Sequence, residues 1–172
     1  MRIYEINYIC LLKIMDYIID VLIETSQTSN IKYEYDSDYN CMRCKKIMDK
    51  PIPFNFGFIP NTDNDDSPVD IILISEEYPF IYNIHTIVEV RIIGLLTMKN
   101  NKNEEKNIVI VIPSDNITSK YKHIEDINHI DNSILYTIIS YWDEYNDHLF
   151  KKAIKGLNYY EKYMVEDSDS SV

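Results

Sequence analysis

The segment Asp65-Asp66-Ser67-Pro68-Val69-Asp70-Ile71 decides how this chain is read, together with Pro53-Phe54-Asn55-Phe56-Gly57-Phe58-Ile59-Pro60-Asn61-Thr62 just before it. Asp65 and Asp70 stand five residues apart on a loop that Pro68 stiffens and that runs into an apolar strand. Mg²⁺ takes oxygen ligands from one or two carboxylates, so this pair can cradle a hard divalent cation. An acidic loop of this composition also serves as a solvated turn, and the spacing alone leaves both readings open.

The rest of the composition narrows the class. At 172 residues the chain fits one domain with a core of its own, and a hydrophobic fraction of 45% is ordinary for a globular protein. A net charge of -11 argues against nucleic acid as a partner, because phosphate backbones are held by Lys and Arg. An anionic ligand therefore needs metal ions or a local basic patch. Of the three cysteines, Cys10, Cys41 and Cys44, only Cys41 and Cys44 have a metal or redox spacing, and no nearby His completes a zinc set. Reduced thiols and a cytoplasmic location are the expectation. The apolar run from Ile6 to Ile23 is interrupted by Lys13, Asp16 and Asp20, so neither a membrane span nor a signal peptide is expected.

Outward from the acidic loop, the pattern predicts several short strands. Tyr17 to Ile23 is a β-branched run with Glu24 at its end. Ile31 to Asp36 alternates so that Lys32, Glu34 and Asp36 share one face, either lining a cavity or facing solvent. A hairpin is expected between Ser37 and Lys50, where Arg43, Lys45 and Lys46 make a basic cluster. Further strands are expected over Ile71–Ser75, Ile87–Thr97 and Ile108–Ile112, with Met98–Asn107 as a surface loop. After Asp131-Asn132, the spacing of Ile134, Leu135, Ile138, Ile139, Trp142 and Tyr145 predicts a helix. A second helix is expected from about Leu149 to Met164. Many short strands broken by turns point to a small barrel or sandwich.

Taken in order, Glu24, the Ile31–Asp36 strand, the Pro-x-Asn-x-Gly-Phe-Ile-Pro-Asn-Thr segment, the acidic loop and Arg91–Met98 resemble the soluble family I inorganic pyrophosphatases from about Asp20 to Asp147. The resemblance implies a mainly β fold with flanking α-helices, an OB-like five-stranded barrel, with residues 1–16 as an extension and 17–164 as the domain; the acidic, Ser-rich composition of 165–172 is that of a disordered tail. It implies hydrolysis of pyrophosphate to two phosphates with Mg²⁺, or Mn²⁺ in its place. It also implies a small phosphate ligand as partner, and it leaves a homo-oligomer open. Carried over by position, Asp65, Asp70, Glu105 and Glu34 become metal-binding carboxylates. Glu24, Lys32 and Tyr145 become catalytic-site residues, and Lys32, Arg43, Lys45, Lys46, Lys106 and Tyr145 become phosphate contacts.

Several positions depart from the pattern. The family loop reads Asp-x-Asp-Pro-x-Asp, with the middle Asp taking a proton from the attacking water, and here that position is Ser67. Asn100 stands for a metal-binding Asp, Phe56 and Ile52 for Tyr hydroxyls, and Asn146 for a phosphate-binding Lys. A Trp-containing hairpin after the first C-terminal helix is missing. These changes set an impaired pyrophosphatase against a catalytically degenerate member kept for binding or structure.

Overall fold

The computed structural model describes residues 17–75, 82–114 and 124–165. The expected extension at 1–16 and nearly all of the acidic tail lie outside them.

Among the described residues, eight strands and two α-helices follow in order: β1 (Ile18–Thr25), β2 (Ile31–Asp36), β3 (Cys41–Ile47), β4 (Asn55–Ile59), β5 (Val69–Leu73), β6 (Ile87–Lys99), β7 (Glu105–Pro113), α1 (Asn132–Tyr141), β8 (Asp147–Lys152) and α2 (Ala153–Tyr163). Five strands close in the order β1-β4-β5-β7-β6, and the β1–β6 pairing returns the ring to its start. This is the expected OB-like barrel. All its pairs are antiparallel except β5 with β7.

The long strand β6 makes closure possible. Along one edge it pairs with β7; along the other it pairs first with β1 through Ile87–Arg91 and then with β8 through Gly94–Lys99. A register shift between Ile92 and Gly94 separates the two halves, which is where a bulge bends a strand most cheaply. β2 and β3 form a separate hairpin beside the barrel mouth.

Apolar side chains are buried on both faces of β5 and β7. Ile72, Ile108, Ile110 and Ile112 join one core with Phe54, Phe56, Leu96 and Trp142, while Ile71, Leu73, Val109 and Val111 join the other with Val21, Ile23, Val90 and Leu157. Burial on both sides explains why these strands read as unbroken Ile/Val runs rather than alternating ones. α1 seals the first core through Ile138, and α2 packs on β6 over the second. The α2 contact is close because two glycines meet: a Cβ on Gly156 would lie 2.5 Å from the carbonyl oxygen of Gly94.

Three local expectations need correction. The Leu149–Met164 helix starts only at Ala153, because Asp147–Lys152 finds the free edge of β6 and becomes β8. β8 therefore covers the part of the β6 edge that lies beyond its pairing with β1. The Met98–Asn107 surface loop is narrower than expected: both its ends are strand, and only the turn at 100–104 lies between β6 and β7. Helix α1 stops at Tyr141, so Trp142 caps it and Tyr145 lies in the turn beyond. In addition, Asn55–Ile59, not assigned to an element by the sequence pattern, is a fully buried strand. Among the described residues no helix is long and apolar enough to cross a membrane.

Candidate active site

One mouth of the barrel collects chemistry from five places: the end of β1, the β2–β3 hairpin, the loop entering β5, the start of β7 and the turn after α1. They surround a cleft of about 1020 Å³.

The acidic loop is a tight turn. The backbone N–H of Asn64 donates to the carbonyl of Ser67 (2.7 Å), and the Ser67 N–H donates back to Asn64 (3.2 Å). The two residues between, Asp65 and Asp66, both have positive φ, 52° and 64°. That is the φ pattern of a type I′ turn, which Gly and Asn usually fill. Asp63 stabilises it by accepting from the Asp66 N–H (3.0 Å). The Thr62 hydroxyl donates to the Ile59 carbonyl (2.6 Å) and accepts from the Val69 N–H (2.9 Å), closing the base of the loop.

Across the cleft, Asp70 on β5 pairs with the Lys106 ammonium at 3.1 Å. Lys106 and Lys32 both lie over the Phe56 ring, 5.7 and 5.5 Å from its centroid. Burial holds the Lys32 ammonium below its ordinary pKa, and Lys106 lowers it further. Burial pushes the Glu24 carboxyl up, and Asp70 adds to the effect, while the Tyr35 N–H donating to Glu24 Oε1 (2.9 Å) works against it. Glu34 is held by Lys45 at 2.6 Å. Glu105 accepts from the Asn107 amide (2.8 Å), which lowers its pKa, and lies 3.4 Å from the Lys99 ammonium.

The cleft thus gathers Glu24, Lys32, Glu34, Lys45, Asp65, Asp70, Glu105, Lys106 and Tyr145 from the sequence-derived set. Lys46 lines an adjoining cleft of about 420 Å³, which shares Lys32, Phe56, Lys106 and Tyr145 with the first. Arg43 lines neither: it pairs with Asp36 at 2.5 Å and lies over the Tyr39 ring.

The departures have local reasons. Asn100 builds the turn between β6 and β7, accepting from the N–H groups of Lys102 (2.9 Å) and Glu104 (3.0 Å), and lies outside the cleft lining. Asn146 is tied to the same turn through Asn101 and the Lys99 carbonyl. Ser67 lines the cleft at the turn's end.

Sequence reasoning missed several residues that line the cleft, among them Asn64, Tyr159 and Tyr163. Tyr159 and Tyr163 stand one helical turn apart on α2, edge to face. That spacing was visible, but nothing in it told which strand loop the helix end would meet.

The donor set suits a hard cation. Glu24, Glu34, Asp65, Asp66, Asp70 and Glu105 offer only oxygens, and the mutual repulsion that helps raise the Glu24 pKa is what a bound cation would relieve. Among the described residues no three such side chains already converge closely enough to hold an ion. Binding would have to draw them together and release Asp70 from Lys106.

The family model described as inorganic pyrophosphatase matches residues 21–167. The chain belongs to that family. The inorganic pyrophosphatase of Sulfolobus acidocaldarius is 33% identical over 135 residues, 76% of this chain and 75% of its own length. That of Saccharolobus solfataricus is 30% identical over 134 residues, 75% of this chain and 74% of its own. The solved inorganic pyrophosphatase of Helicobacter pylori superposes with a TM-score of 0.76 at 24% identity, covering 87% of this chain and 92% of that one. At that identity the superposition speaks for the fold. The pyrophosphatase family is metal-dependent, in keeping with the oxygen-rich cleft.

Proposed function

We propose that this protein hydrolyses pyrophosphate to two phosphates with Mg²⁺, at a rate reduced by Ser67. The observation that carries the reading is the joining, in one cleft of a pyrophosphatase-family barrel, of six carboxylates with Lys32, Lys45, Lys106 and Tyr145.

In this reading Asp65, Asp70, Glu105 and Glu34 hold the metal, with Glu24 beside them. When bound, the cation neutralises phosphate charge and acidifies a coordinated water. Lys32 and Lys106, flanking Phe56, bind the phosphate as cations; releasing Asp70 frees Lys106 to do so. An incoming anion favours the charged form of Lys32, which its burial disfavours. The Tyr145 hydroxyl supplies a further donor from the turn after α1. The Ser67 hydroxyl cannot keep a proton taken from water at neutral pH, and a positioned base is worth roughly 10²–10⁴-fold.

A second reading rests on that substitution. With Ser67 at the base position and Phe56, Ile52 and Asn146 lacking the expected donors, the barrel would serve as a binding or structural protein. Phosphate release from pyrophosphate in Mg²⁺ and then Mn²⁺, with Asp70→Asn as control, decides between them. Turnover abolished by Asp70→Asn supports the enzyme. Absence of turnover in folded protein supports the second reading.

A further inference from the structure

The acidic turn is the least relaxed part of the site. Within six residues, Asn61, Asp65 and Asp66 all adopt left-handed φ angles of 57°, 52° and 64°, and none is glycine. Such backbone persists only where its surroundings hold it.

What holds it is the end of α2. The Asn64 amide donates to the Tyr159 hydroxyl oxygen at 3.0 Å. The Asp63 N–H donates to the Tyr163 carbonyl at 2.9 Å, and the Val165 N–H donates to the Asn61 carbonyl at 2.9 Å. Thr62 bridges Met164 as an isolated β-pair. Every residue from Asn61 to Asn64 is thus tied to the segment 159–165. Tyr163 packs edge to face on Tyr159 with ring centroids 5.0 Å apart, fixing the phenol's direction. Burial pushes the Tyr159 hydroxyl up to about 12, so it stays neutral and can both accept from Asn64 and donate its own proton into the cleft.

We propose that Tyr159 is a positioning residue for the cation site: through Asn64 it holds the Asp65-Asp66 turn in the strained form that faces Asp65 into the cleft. The inference rests on reading Asp65 and Asp70 as metal ligands. It adds to that reading a residue outside the acidic loop that sets cation affinity. Groups that orient metal ligands from behind typically change affinity by roughly 10–100-fold when removed.

Two readouts test it, one of which needs no metal. In metal-free protein, Tyr159→Phe keeps the ring and removes the oxygen, and amide hydrogen exchange at Ser67, whose N–H closes the turn, is expected to accelerate about tenfold. In Mn²⁺ titrations followed by calorimetry, the same variant is expected to weaken binding by roughly tenfold. Asn64→Ala should do the same, and the double variant should lose no more than either single one, as for two halves of one contact. Tyr160→Phe, on the same helix outside the cleft lining, should match the parent in both readouts. Unchanged Ser67 exchange in folded Tyr159→Phe overturns the clamp. Faster exchange with unchanged Mn²⁺ affinity overturns its bearing on the metal. If the parent protein binds no Mn²⁺, the proposed function falls, and Ser67 exchange still decides the clamp.

Discussion

At residue scale, Ser67 separates what this cleft can bind from what it can catalyse. Its N–H already closes the acidic turn, so Ser67→Asp changes the side chain without asking the backbone to move. Turnover is expected to rise by roughly 10²–10³, read as phosphate release at saturating pyrophosphate, and an unchanged kcat would mean that position 67 is not where the base acts. Restoring Asp at Asn100 is a poorer repair, since the Asn100 amide donates to Glu104 Oε2 at 2.6 Å and a carboxylate there would face another. Asp66 tests the strain separately. Its φ of 64° suits glycine, so Asp66→Gly should stabilise the protein by about 1 kcal/mol in urea unfolding, less what the freer unfolded chain takes back. Asp65, Asp70 and Ser67 were legible because the acidic loop is one continuous stretch, and Glu24, Glu34, Glu105 and the lysines only through the family resemblance of the segments that carry them. Tyr159 was not, because its contact with Asn64 spans 95 residues and has no local signature.

At the scale of elements, the barrel strands were legible wherever burial was one-sided or the run was long. β4 was not read as a strand although Phe54, Phe56 and Phe58 alternate with Asn55 and Gly57, because Pro53, Pro60, Asn55 and Gly57 are turn-forming residues that strands disfavour. β8 was hidden for a different reason: His148, Leu149 and Phe150 suit helix and strand alike, and the free edge of β6 decides between them. The α2–β6 contact makes a sharper claim about packing. A methyl group on Gly156 would meet the Gly94 carbonyl oxygen at 2.5 Å and the Ile92 side chain at 2.8 Å, and backbone does not yield as a flexible side chain does. Gly156→Ala should therefore destabilise by about 1–3 kcal/mol, although alanine is the better helix former. A urea midpoint equal to the parent's would show that α2 can ride outward. Because the same helix end holds the acidic turn, the variant should also speed exchange at Ser67.

Across the whole molecule, a chain with a net charge of -11 gathers six carboxylates at one barrel mouth, and Glu24 shows what that arrangement does to stability. Burial raises its pKa above the 4.5 of the unfolded chain. The folded state therefore holds the proton more tightly, so the contribution is fully present below pH 4.5 and is lost as pH rises through the folded pKa. In metal-free buffer Glu24→Gln, whose side-chain oxygen can still accept from the Tyr35 N–H, should match the parent at pH 4 and be more stable than it at pH 7.5, read from urea midpoints. Mg²⁺ should reverse the order. A cation that binds only the folded state adds about 2.7 kcal/mol at a hundred times its Kd, and Glu24→Gln, with less negative charge around the ion, should gain less. Equal midpoints at pH 7.5 without metal would remove the burial penalty, and equal gains on adding Mg²⁺ would take Glu24 out of the metal's surroundings. Both differences together would mean that this fold gives up stability at neutral pH to keep a carboxylate where a cation needs it.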